Sequence, residues 1–300
     1  MTTKHFEEWH WEITRVCNLR CNHCITDCGS PEKNELSTHE ALTVVDRIAR
    51  LGCEKVMFTG GEPLARKDIV AILEACKAKG MGLRLITNGF TSNRGLVLKL
   101  SSLLDLVGVS LDGVKEETHD AVRGAGSFNK ACRAISAFSS VLPVSVHITV
   151  SAQNIYEVED IIKKAMALGA YHVHISEIAI LGRALAHKSW LALDRDQKVR
   201  LRKIAERMTK RQNRLCNPNL STVYLSFDGL VYPCSEIALK KPKRFLASIL
   251  SEQCVEELTS LSSSWVIPNE TCCYVVYEGD KVTFCLGSDS PCCMIGGGWL

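Results

Sequence analysis

The nine residues Val16–Cys24 read Val-Cys-Asn-Leu-Arg-Cys-Asn-His-Cys and space Cys17, Cys21 and Cys24 as C-x3-C-x2-C, directly after an extended apolar and aromatic segment. Three thiolates cannot complete the four-ligand shell of a [4Fe–4S] cluster. The spacing therefore predicts a cluster with one iron left open, as a catalytic zinc keeps one position free. The amino and carboxylate groups of a methionine-type cofactor suit that position. Zinc is the alternative, but structural zinc takes two pairs of ligands and no second C-x2-C lies nearby. His23, wedged between Asn22 and Cys24, is poorly placed as a fourth ligand.

A chain of 300 residues with 46% hydrophobic content suits one large α/β domain with a smaller appendage, or two medium domains. A net charge of +3 is too weak to imply nucleic-acid binding. Met1 to Trp11 lacks the apolar stretch of a signal peptide, and no run of about 18 apolar residues suggests a membrane span. The expectation is a cytoplasmic protein, in whose reducing surroundings a disulfide framework is not sustained. Fifteen cysteines then read as metal clusters.

Strand-like and helix-like patterns alternate from about residue 10 to residue 180. Ser37 and Glu40 form a capping box for a helix over 38–51, with Leu42, Val45, Ile48 and Leu51 on one face. A second helix starts at Asp68 and carries Ile69, Ile72, Leu73 and Cys76; others are expected near 94–104, 127–140 and 155–168, the last capped by Asn154. Val56–Thr59, Leu83–Thr87, Val107–Leu111, Val144–Val150 and His172–Ser176 read as buried strands. Repeated βα units predict a parallel sheet covered by helices, either a partial barrel or a doubly wound sheet. Beyond Gly182 the pattern changes to a long basic helix over 195–214 and two hairpin candidates. One turns at Asp228-Gly229 and the other at Gly279-Asp280. Residues 1–184 and 185–300 are expected as two domains.

Thr59-Gly60-Gly61-Glu62-Pro63 follows a strand at the edge where parallel sheets bind ligands, and Glu62 offers an anion to a cationic group. Thr87-Asn88-Gly89 and Ser110-Leu111-Asp112-Gly113 follow later strands, and Leu181-Gly182-Arg183-Ala184 follows the sixth. Each alone is consistent with an ordinary turn. Together with the cysteine triplet, over residues 9–184, they resemble the radical S-adenosylmethionine (SAM) superfamily. The resemblance implies an open (β/α)6 partial barrel in which Gly60, Gly61, Glu62 and Pro63 meet the SAM amino group. It also implies that Asn88, Ser110 and Asp112 contact the ribose and sulfonium region, and that Arg183 reaches the carboxylate. It implies further that a reduced cluster, charged by a donor such as flavodoxin or ferredoxin, cleaves SAM to a 5′-deoxyadenosyl radical that takes hydrogen from a C–H bond.

Cys216 and Cys234 frame the first hairpin as C-x12-G-x4-C. Over roughly 185–293 the chain resembles the twitch and SPASM auxiliary-cluster domains. A small α+β hairpin-containing domain with a second [4Fe–4S] cluster is therefore expected, held by Cys216, Cys234 and two of Cys272, Cys273, Cys285, Cys292 and Cys293, with Cys273 and Cys285 the candidates taken. A zinc in that site is the alternative. Cys254 is a candidate hydrogen donor to a substrate radical, or else a buried packing residue. Cys28, Cys53, Cys76 and Cys132 read as packing residues. The basic face of the 195–214 helix is by default solvated surface, although an acidic peptide or a reductant could use it; without interleaved aromatics, nucleic acid is a poor fit.

The function expected from this reading is epimerisation or dehydrogenation of a small polar natural product of aminocyclitol or sugar type. The alternative is maturation of a ribosomally made peptide by epimerisation or cross-linking. A non-enzymatic cluster- or zinc-binding protein is the third class, and the assembled motifs argue against it.

Overall fold

The computed structural model describes residues 6–209, 211–214, 222–232, 238, 245–262, 274–278 and 281–287. Six strands run in chain order: β1 (Glu8–Glu12), β2 (Lys55–Thr59), β3 (Gly82–Thr87), β4 (Leu106–Ser110), β5 (Val144–Val150) and β6 (His172–Glu177). Each pairs in parallel with the next. The order never reverses, so there is no switch point of the kind that defines a doubly wound sheet. Successive crossovers of one hand then place every helix on the same face, which is the α/β partial barrel expected.

Among the described residues, eight helices accompany these strands. They are α1 (Thr38–Arg50), α2 (Ile69–Ala78), α3 (Arg94–Ser101), α4 (Glu116–Arg123), α5 (Ser127–Ser139), α6 (Val158–Ala167), α7 (Lys188–Leu191) and α8 (Arg195–Met208). The capping box of α1 forms as expected: the Glu40 N–H donates to Ser37, and the Ser37 N–H donates to Glu40. Its buried stripe is Ala41, Val44, Val45 and Ile48, which close on Trp9, Phe58 and Ile72 in one continuous core. Helix α2 buries the four predicted residues Ile69, Ile72, Leu73 and Cys76.

Three expected boundaries move, the first being α3, which stops at Ser101 short of the expected 104. Helix α6 starts at Val158 with Glu157 as its N-cap. Asn154 instead accepts from the Ser151 N–H at 2.8 Å and donates to the carbonyls of Asp112 and Thr149, so its side chain braces the sheet edge rather than a helix. The basic helix ends at Met208. Arg211–Arg214 forms β7, because backbone pairing with β11 (Tyr274–Glu278) replaces helical bonds there.

The second half does not stand apart from the sheet. β8 (Thr222–Leu225) pairs in parallel with β1, and β9 (Leu230–Tyr232) and β10 (Ala247–Ser248) extend that edge. At the other edge β12 (Val282–Gly287) pairs in parallel with β6, followed by β11 and β7. Among the described residues this is one twelve-stranded sheet. Helix α9 (Cys254–Ser262) packs against the β8–β10 edge, and Val223, Leu225, Val231, Ile249 and Leu258 belong to the same core as Trp9 and Ile148. The boundary expected near residue 184 is therefore no break in sheet or core. No helix among the described residues is long and apolar enough to cross a membrane.

A shared core has a measurable consequence. Leu225→Ala should cost about 2–5 kcal/mol, and urea unfolding followed by far-UV and near-UV signals should show one coincident transition at a lower midpoint. Two transitions, with only one displaced, would indicate an independently folding C-terminal unit.

Candidate functional site

The C-terminal ends of the parallel strands surround a cavity. Glu12, Thr59, Thr87, Ser110, Thr149 and Ser176 line it from β1 to β6, and the cysteine loop roofs it with Cys17, Cys21, Cys24 and Cys28. All four thiols are free. The three cysteines singled out by spacing are thus brought to one wall. Among the described residues no three His, Cys, Asp or Glu side chains gather tightly enough to hold a single metal ion. A cubane places each thiolate on a different iron, so a spread set of thiols around a cavity fits a cluster better than zinc.

The Gly-Gly pair positions this loop. Gly60 lies at φ 141°, and a Cβ there would sit 2.4 Å from the Thr14 carbonyl; one on Gly61 would sit 2.2 Å from that of Val16. The Gly61 and Glu62 N–H groups donate to those two carbonyls at 2.7 Å each. The glycines are needed chiefly for this contact with the backbone leading into Cys17, while both still line the cavity. Glu62 does not face it. Fully buried, its carboxylate accepts from the Leu64 N–H at 3.1 Å, the Thr87 hydroxyl at 2.8 Å and the Asn88 N–H at 2.8 Å. Burial raises its pKa to about 7 against those three donors. Pro63 opens a short 3-10 turn behind it and is buried. Glu62 and Pro63 therefore support the loop from behind instead of presenting an anion. Asn88 and Ser110 do line the cavity, and Asn88 donates to Asn18 at 2.9 Å and to the Cys17 sulfur at 3.7 Å.

Asp112 is also displaced from its expected role. It has no exposed surface, and it meets the Arg123 Nε at 2.5 Å, the His23 Nε2 at 3.1 Å and the Thr149 N–H at 2.7 Å. Burial opposes its charge, yet Arg123 and then His23 hold its carboxyl well below the usual carboxylate range. With its oxygens engaged, it anchors Arg123, which lines the cavity. Arg183 is turned the other way. It donates to the carbonyls of Cys21 at 2.9 Å and Cys28 at 2.7 Å and pairs with Asp27 at 2.6 Å, clamping the cysteine loop from outside. Gly182 permits this approach, since a Cβ there would lie 2.2 Å from the Ile25 carbonyl. Arg123, unseen in the sequence, is thus the buried cation at the cavity, where Arg183 was expected.

Cys254 is fully buried in the core at the start of α9 and does not line the cavity. A hydrogen donor must face the substrate, so its packing role prevails. Cys216, Cys234, Cys272, Cys273, Cys292 and Cys293 lie outside the described residues; Cys285 lies on β12 in register with Ser176.

Sequence reasoning passed over the remaining wall: His10 and Glu12 on β1, Ser145 and His147 on β5, His172, His174 and Ser176 on β6, and Tyr224 on β8. The signal was present. Strands buried on both faces should be continuously apolar, yet these carry polar residues at every second position, all on the inner face. The His147 and His174 rings lie 5.1 Å apart, tilted by 42°; burial holds His174 near 4 and His147 well below its usual value, so both imidazoles are neutral. Tyr224 donates to Glu12 at 2.7 Å, and burial raises Glu12 to about 7.

Comparison with known proteins agrees with this geometry. A family model described as the Radical SAM superfamily matches residues 11–165. The chain is 34% identical over 164 residues to the mycofactocin maturase MftC of Mycolicibacterium smegmatis, covering 53% of this chain and 42% of that protein. It is 38% identical over 152 residues to the Fe-coproporphyrin III synthase of Methanosarcina barkeri, covering 49% and 38%. These matches span less than half the length of either relative. Among solved structures, anSMEcpe with bound AdoMet and Cp18Cys peptide superposes with a TM-score of 0.67 over 86% of this chain and 84% of that one, at 19% identity. That likeness is one of fold.

The Asp112 network predicts a stability effect with a defined pH sign. Asp112→Ala leaves Arg123 buried without its partner and should cost about 3–5 kcal/mol in urea unfolding at pH 7. Because the folded carboxyl titrates well below its ordinary value, the wild-type advantage is fully present above the ordinary carboxylate range, begins to shrink as pH falls below that range, and is lost only as pH passes the lower folded value. Unfolding curves from pH 7 to pH 3 should show the gap between the two proteins narrowing; a constant gap would mean the charge does not matter.

Proposed function

This chain belongs to the radical SAM superfamily, and we propose that within it the chain is a maturase acting on a segment of peptide. It is a radical SAM enzyme, so a [4Fe–4S] cluster and SAM are its cofactors. Cys17, Cys21 and Cys24 would hold the cluster, and free thiols on one cavity wall fit it. Gly60, Gly61, Asn88 and Ser110 line the space beside them, and Arg123 suits the carboxylate of SAM. When bound, these groups supply the one-electron chemistry that removes hydrogen from an unactivated C–H bond. The chain's own residues fix the cysteine loop, keep water from the strand ends and orient the substrate.

One observation carries the substrate class. The charged side chains lining the described cavity are Glu12 and Arg123, and neither is left for the substrate: Glu12 accepts from Tyr224 and Arg15, while Arg123 gives its Nε to Asp112 and its remaining nitrogens to SAM. Much of the remaining polar wall is hydroxyl, amide and the neutral imidazoles of His147 and His174. A cationic aminocyclitol would need a free carboxylate here, and a poly-carboxylate tetrapyrrole would need further cations, since unpaired buried charge is costly. Peptide amides, neutral donors and acceptors, match the wall. The relative named as a maturase and the peptide-bound neighbour support this reading over the aminocyclitol expectation. An auxiliary cluster in the C-terminal half, a flavodoxin- or ferredoxin-type electron donor and a reducing cytoplasmic setting belong to the same proposal.

Anaerobic reconstitution with iron and sulfide analysis, in wild type and in a Cys17/Cys21/Cys24→Ala variant, tests the cofactors. About eight irons falling to about four fits two clusters, and about four falling to none fits the SAM cluster alone. Reductive SAM cleavage then tests the substrate. Release of 5′-deoxyadenosine should rise with a short peptide encoded beside the gene and stay at background with an aminocyclitol or a porphyrin. The reverse pattern would return the small-molecule reading.

A further inference from the structure

Beyond the three cysteines, the loop carries two side chains whose arrangement the proposed function does not use. We propose that Thr26 and Cys28 form a hydrogen-bond relay ending on the Cys24 sulfur, and that this relay raises the reduction potential of the cluster. The inference rests on the assignment of Cys17, Cys21 and Cys24 to that cluster. The Thr26 hydroxyl lies between two sulfurs, 2.9 Å from Cys28 Sγ and 3.5 Å from Cys24 Sγ. The Cys28 backbone N–H also donates to Cys24 Sγ at 3.4 Å. A ligating thiolate has no proton and can only accept. That fixes the last step, in which the Thr26 O–H donates to Cys24, and it leaves the Thr26 oxygen to accept from the Cys28 S–H 2.9 Å away. Glu12, at 3.8 Å, is a more distant acceptor for Cys28 than the Thr26 oxygen at 2.9 Å, and the Cys28 side chain also bonds the Cys24 sulfur directly, so both of its routes within the loop end on Cys24.

The three sulfurs are unequally served. Cys17 Sγ accepts from the Leu19 N–H at 3.4 Å and from Asn88 at 3.7 Å. Cys21 Sγ instead points as a donor at the Arg123 carbonyl, 3.7 Å away, a bond that deprotonation removes. Cys24 alone of the three is reached by both a hydroxyl and a backbone N–H. The relay is held in place from behind, because Arg183 donates to the carbonyls of both Cys21 and Cys28. Reduction adds one negative charge to a cluster, and donors to its sulfurs favour the more negative state. Loss of a donor therefore makes the cluster harder to reduce.

The test uses the full chain, reconstituted anaerobically, and reads the spectroscopic cluster signal that the Cys17/Cys21/Cys24→Ala variant lacks. Thr26→Val, nearly isosteric, should retain wild-type iron. At a fixed applied potential its reduced-to-oxidised ratio should fall about tenfold, equivalent to ~59 mV for a one-electron couple. Cys28→Ala should move the ratio the same way by less, and Cys28→Ser should restore it. An unchanged or increased ratio in Thr26→Val overturns the relay. So does loss of iron in Cys28→Ala that Cys28→Ser does not repair, which would make Cys28 a ligand. Failure of the underlying assignment looks different: the triple variant would then keep the iron and the signal of the wild type.

Discussion

A single buried carboxylate ties this site together. Asp112 sits at the end of β4 with no exposed surface and receives Arg123 from α4, His23 from the cysteine loop and the Thr149 N–H from β5. Its own backbone N–H donates to His119 at 3.0 Å, and its carbonyl accepts from Asn154. Sheet, helix and loop thus meet at one residue. The charge tolerates burial because several donors converge on it, an arrangement that is costly when half complete. The cysteine loop has few apolar anchors of its own, so its shape depends on this network on one side and on the Arg183 clamp on the other.

The sequence made some of this legible and hid the rest for identifiable reasons. The βα alternation, the capping box at Ser37 and the Asp228-Gly229 hairpin are local signals, and the structure contains each of them. The cysteine triplet reaches the cavity because its spacing is also local. Arg183 and Asp112 went elsewhere because a motif names a position in the chain but not the direction of a side chain. A positive φ at Gly182 turns Arg183 outward onto carbonyls, and the buried position of Asp112 claims its carboxylate for protein donors. Cys254 failed for a similar reason: a helix start beside a sheet edge buried it. The helix over 195–214 overran because charged residues carry helical propensity, while the pairing of Arg211–Arg214 with a strand some 60 residues later is tertiary and leaves no local mark.

The inner wall was readable in principle. His10 and Glu12, Ser145 and His147, and His172, His174 and Ser176 alternate with Val, Ile and Trp along strands that a helix layer covers outside. Period two on a parallel strand says that one face looks into something other than core. Here that face is a cavity in which hydroxyls and the neutral imidazoles of His147 and His174 surround two engaged charges, Glu12 and Arg123.

The placement of β8 beside β1 also orders events during synthesis. Glu8 pairs with Thr222, so during synthesis β1 waits until more than 200 further residues have been made before that edge is covered by β8. Loop closure over that span opposes early pairing. For that interval β1 is an open edge carrying Trp9 and Trp11, and open apolar edges invite association with other chains. Recovery of folded protein should therefore depend on how quickly the nascent chain is shielded, and chaperone supply and slow expression bear on yield before any cofactor is loaded.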